Sequence, residues 1–143
     1  MPGVSLGDAA SRERLLAGID PARAGEHHDL LRRIFAAECA DRQAGLADEY
    51  YENLYWCAYL LHLVGDPADA ADMWAAKHID FDTACGFDVQ FLLGAGARRT
   101  LEHLSATGHA DIARHLTEFP ELDDDLADWK SFRHGYFYPE TAR

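Results

Sequence analysis

The chain has 143 residues, 48% of them hydrophobic, and a formal net charge of −12. That length suits one domain over residues 1–143 rather than two, and the apolar content excludes a disordered acidic tail. A field of this sign repels phosphate backbones, so nucleic-acid binding is not expected, and the longest apolar run, Tyr55 to Val64, is too short to cross a bilayer.

Apolar residues recur at three and four along the chain and strict alternation is absent, so the fold class reads as all-α. A first helix is expected from Asp8 to Ile19, with Leu15, Leu16 and Ile19 facing inward. Asp20-Pro21 supplies an N-cap and a proline at the first helical position, which starts a second helix running to about Arg42 and ending at Gly45. The third, Leu46 to Val64, carries the stripe Leu46, Tyr50, Leu54, Cys57, Leu61 and Val64. Tyr51, Tyr55, Trp56, Tyr59 and Leu60 widen it, so this helix belongs at the centre of the fold or along an interface.

Gly65 stops it, and Asp66-Pro67 starts a fourth helix to about Lys77. The segment from His78 to Asp88 has no helical period and contains glycine, so it reads as a loop. Asp88 then caps a fifth helix to about Thr107. Gly94 and Gly96 inside it cost about 1 kcal/mol each against alanine, so either a neighbouring backbone packs closely there or the helix breaks. A sixth helix spans Ala110 to Phe119 and is stopped by Pro120, and a short last one covers Leu122 to Phe132. The tail Gly135-Tyr136-Phe137-Tyr138-Pro139 is aromatic enough to pack on the body.

A shift of 43 residues places Ala58 on Leu101, Leu61 on Leu104, Gly65 on Gly108 and Met73 on Leu116. That period predicts stacked helical hairpins of the HEAT-like kind, with an irregular helical bundle as the alternative, and about six or seven helices in all. The start of the chain, Met1 to Ser5, lacks the basic and apolar pattern of a secretory signal, and the odd count of three cysteines without CxxC reads as reduced thiols. Both observations predict a cytoplasmic protein.

Metal and cofactor chemistry finds little purchase. Neither HExxH nor Glu-x-x-His occurs. The Asp80-x-Asp82 start of a calcium loop fails at Ala84, Cys85 and Phe91, so no metal and no cofactor are expected. A small hydrolase or metal-dependent enzyme centred on His78, Asp80, Asp82 and Cys85 is the alternative function. Carboxylates around Cys85 suppress the thiolate that such chemistry needs, so the chain is not expected to be an enzyme. The same segment also has a purely structural reading, in which Asp88 caps and Asp80 or Asp82 bonds loop amides.

Charge placement points to protein binding. Residues 46–90 hold nine acids and one base, Lys77, for a net of −8. Aromatic side chains are dense in the same stretch, and interfaces favour tyrosine and tryptophan anchors together with complementary charge. Asp66, Asp69 and Asp72 recur at a spacing of three at the start of the fourth helix. With Trp74 as anchor and Asp80 and Asp82 adding field, they are the expected contacts for a protein partner with a basic surface, whether the chain is a monomer or a homodimer.

Four ordered segments also carry a resemblance: Tyr50-Tyr51-Glu52-Asn53-Leu54-Tyr55-Trp56-Cys57, Gly65-Asp66, Met73-Trp74-x-Ala76-Lys77-His78, and Phe81-Asp82-Thr83-x-Cys85-Gly86-Phe87-Asp88-x-Gln90-Phe91-Leu92-x-Gly94-Ala95-Gly96. Together they resemble a group of small uncharacterised bacterial helical proteins similar to the immunity proteins of toxin–immunity systems. The resemblance implies a cytoplasmic protein that neutralises a toxin by direct binding, and it carries no catalytic residues with it.

Overall fold

A computed structural model describes residues 6–46, 49–119 and 122–141. Among these residues there are eight α-helices and no strands: α1 Ala9–Ala17, α2 His28–Gln43, α3 Glu52–Val64, α4 Ala70–Lys77, α5 Phe81–Gly86, α6 Ala97–Ala106, α7 Ala110–Leu116 and α8 Leu126–Phe137. The expected stop at Pro120, part of the expected first turn of the third helix and the Met1–Ser5 start lie outside the described residues.

Helix α3 organises the bundle, as its apolar circumference requires. Leu54, Tyr55, Cys57, Ala58, Tyr59, Leu60 and Leu61 are all buried. Helix α2 packs along α3 with Leu31, Ile34 and Phe35, while α1 and the 3-10 turn Pro21–His27 close a second side. Helices α6 and α7 form the hairpin that the 43-residue shift anticipates. The main partner of α3 is α2, and the result is a helical bundle. One hydrophobic cluster runs from Leu16 to Trp129.

Both Asp-Pro starts open with a 3-10 turn before the α-helix begins. The carboxylates of Asp20 and Asp66 accept from the amides of Ala22 and Ala68, each at 2.9 Å, which holds the chain in tight turns over Pro21–His27 and Pro67–Asp69. The His78–Asp88 segment is not a loop throughout. Asp80 accepts from the Thr83 amide at 2.7 Å and caps α5, a helix too short to show a period. The expected fifth helix is broken in two. Val89–Leu93 is a 3-10 turn, Gly96 takes φ 90°, and α6 begins only at Ala97.

Helix α8 runs past Phe132 to Phe137, so the aromatic tail begins inside it. Its end docks as expected. The Phe137 ring stacks on Trp56 with centroids 6.4 Å apart, and Trp56 Nε1 donates to the Tyr138 hydroxyl at 2.9 Å.

One core polar group makes this packing sensitive to pH. His62 is 5% exposed, stacked on Tyr59 and 4.9 Å from the Trp129 ring. Burial pulls its pKa down to about 4. The unfolded chain takes up this proton near pH 6.5 and the folded chain only near pH 4. Stability is therefore complete above pH 6.5 and falls as the pH drops through that window, by about 3 kcal/mol. Thermal melts between pH 7 and pH 4 check this, and His62→Leu is expected to flatten the slope.

Candidate functional site

The six acidic and aromatic residues singled out in the sequence do not form one surface. Asp69 is buried at 4% exposure. Its Oδ1 accepts from Arg32 Nε at 2.7 Å, and its Oδ2 lies 2.8 Å from His28 Nε2. Asp66 caps the turn before α4 and accepts from Arg32 Nη2 at 3.2 Å. These two carboxylates hold α2 against the start of α4 rather than waiting for a partner, which corrects the expectation for them. Asp72 is exposed. Trp74 is half-buried, its ring 4.5 Å from His78 and 5.8 Å from His115, so it lies in a stack of the protein's own rings.

Asp80 and Asp82 are exposed, and they face a different feature. A cleft of about 530 Å³ opens between the end of α2, the first turns of α3, α5 and α8. Its walls carry Arg42, Tyr51, Glu52, Tyr55, Asp80, Asp82 and Arg133.

Arg42 forms the floor through neutral partners. Its guanidinium donates to the Tyr51 carbonyl at 2.5 Å, to Thr83 Oγ1 at 3.1 Å and to the Tyr55 hydroxyl at 3.3 Å, and it sits 5.3 Å over the Tyr55 ring. Gly86 packs against this ring, and a Cβ there would lie 2.6 Å from the Tyr55 hydroxyl and force the ring to shift. Burial pushes the Tyr55 pKa up, and the bond from the Thr83 amide holds that of Asp80 down.

Arg133 is neutralised by Asp88. Its Nη2 and Nε lie 2.8 and 3.2 Å from Asp88 Oδ2, which also accepts from Trp129 Nε1 at 2.9 Å. With that charge spent, the cleft holds one guanidinium against the carboxyl groups of Glu52, Asp80 and Asp82.

Tyr51 lines the opening, and three more exposed rings lie on α5 and α8. Tyr51 is 50% exposed, Phe81 80%, Phe132 65% and Tyr136 49%. Phe81 lies between the two exposed aspartates. Phe132 and Tyr136 flank Arg133, whose guanidinium carbon is 6.0 and 5.6 Å from their centroids. Burial, with the Glu52 carboxylate next, pushes the Tyr136 hydroxyl up. Sequence reasoning missed Arg42, Glu52, Phe132, Arg133 and Tyr136 as site residues. The usable signal was the aromatic density around Gly135.

The His78–Asp88 segment shows less chemistry. Cys85 is exposed, and His78 turns Nδ1 to the Trp74 carbonyl at 2.8 Å. Lys77 Nζ donates to the Ala84 and Phe87 carbonyls at 2.6 and 2.5 Å and so ties down the end of α5. Among the described residues no three His, Cys, Asp or Glu side chains are grouped to hold a metal ion, and no helix is long and apolar enough to cross a membrane. Comparison with protein-family models, curated proteins and solved structures finds no match for the chain.

Proposed function

We propose that this protein is a protein-binding module of the immunity type, which neutralises a bacterial toxin by covering a basic surface with the cleft between α3, α5 and α8. The carrying observation is that exposed Tyr51 lines a cleft that holds Glu52, Asp80 and Asp82, with exposed Phe132 and Tyr136 beside its Arg133 and exposed Phe81 between the two aspartates in the chain. Large rings left in water are costly unless something covers them, and aromatic anchors flanked by charge are what protein interfaces use. A lysine or arginine of the partner fits this geometry, with its stem on the rings and its head at the carboxylates. The net charge of −12 speeds the encounter with a basic partner.

A hydrolytic role for the His78–Asp88 segment has weaker support, since His78 is engaged with Trp74 and α5 is pinned by Lys77.

The test begins with the neighbouring reading frames: a toxin encoded there is expected to bind this chain, and stopped-flow association at several salt concentrations follows. Asp80→Asn keeps the capping oxygen, so Asp80→Asn with Asp82→Asn is expected to fold normally, associate about tenfold more slowly and show a weaker salt dependence. Phe81→Ala is expected to raise the dissociation rate by about tenfold or more. Association and dissociation unchanged in both variants would remove this face from the interface.

A further inference from the structure

A second cavity lies between α2 and α4 and shares no lining residue with the first. It measures about 340 Å³, within the range of small-molecule sites, and such sites pair an apolar floor with a few polar groups at one side. Here Phe35 and Cys39 of α2, Leu61 of α3 and Ala76 of α4 line the groove, and the short side chains of Ala36 and Ala75 leave room between its walls. Burial, with Asp72 adding to it, pushes the Cys39 thiol up to about 11, so it stays protonated and presents sulfur as one more apolar surface.

The charged groups that meet this groove are unequal. Arg32 lines it, but its guanidinium is taken by Asp69 and Asp66. Asp69 is satisfied by Arg32 and His28. Asp72, on the α4 wall, is exposed, and among the described residues no ion pair reaches it. Of the two carboxylates that line the groove, Asp69 is spent on Arg32 and His28, which leaves Asp72 as the group still able to take a cation.

We infer that this groove binds a small amphipathic cation, an apolar body seated between α2 and α4 with an amine head at Asp72. An aliphatic amine satisfies both halves of the site. An anion of the same shape meets the unpaired carboxylate of Asp72, and a neutral analogue gains only the apolar half.

Octylamine, octanol and octanoate, each kept below its micelle concentration, are the probes for calorimetric titration of the full chain. Octylamine is expected to bind saturably at one site, with octanoate at least about tenfold weaker. Asp72→Asn is expected to weaken octylamine about tenfold and leave octanol unchanged. Ala36→Phe and Ala75→Phe alter exposed wall positions on opposite helices, so the fold survives while the cavity is filled. Each is expected to abolish binding, with thermal melts confirming a folded chain. The inference is overturned by any one of three results: no saturable octylamine binding, octanoate binding as tightly as octylamine, or full octylamine affinity in Asp72→Asn or in both cavity-filling variants.

Discussion

Replacing Glu38 with alanine is expected to destabilise the fold by about 3–5 kcal/mol, among the largest losses available to a single polar side chain in this protein. Arg12 is 1% exposed and Glu38 2%, with Arg12 Nε 2.5 Å from Glu38 Oε2. The guanidinium also donates to the Leu6 carbonyl and to Asp41, and Asn53 Nδ2 donates to the same Glu38 oxygen at 3.1 Å. One carboxylate thus joins α1, α2 and α3. Burial by itself depresses the Arg12 pKa, and the bonds from Glu38 and Asp41 more than offset this and raise it. Removing Glu38 leaves the desolvation and deletes the main compensation, which is why breaking a buried pair costs far more than the pair contributes. Urea denaturation should show a lower midpoint at unchanged slope. Asp41→Ala is the comparison. Its carboxylate is 25% exposed, so water replaces part of what it supplies and the loss is expected to be about half as large. Equal losses in the two variants would mean that burial does not set the cost.

Local signals fared well where one stretch of chain decides its own fate. The seven buried apolar residues of α3 follow from apolar residues on every side of that helix, and Gly65 stops it in the left-handed conformation with φ 76°. What failed was the charge reading, which depends on residues distant in sequence. A count of charge along residues 46–90 cannot know that Arg32, 37 positions before Asp69, reaches back to neutralise it. Nor can it place Arg133, 45 positions after Asp88, beside that carboxylate. The cleft is assembled from α2, α3, α5 and α8, so its outline exists only after folding. Helix α5 is a different failure. Its six residues are fewer than two helical turns, too few for a period to register, and its one legible mark was the capping Asp80.

Gly94→Ala carries the other large effect, and it separates propensity from packing. In a helix running through this position alanine would stabilise the fold by about 1 kcal/mol relative to glycine. The structure reverses the sign. A Cβ on Gly94 would lie 2.1 Å from the His62 carbonyl oxygen and 2.9 Å from its carbon, and both are main-chain atoms of α3 that no side-chain rotation can move. Gly65 faces the same contact, its own added Cβ only 3.2 Å from the Gly94 oxygen. The last turn of α3 and the end of the Val89–Leu93 turn therefore meet backbone to backbone, and a methyl group between them must push apart the elements that bury His62, Phe91 and Leu93. The expected loss is about 3 kcal/mol or more, which lowers the melting temperature by about 10 °C. Gly25→Ala is the control. It places a Cβ where nothing lies within 4 Å, and it is expected to leave stability unchanged or raise it by about 0.5 kcal/mol. If Gly94→Ala melts with the Gly25→Ala variant, the two segments do not touch, and the path of the chain from α3 through Gly94 would have to be redrawn.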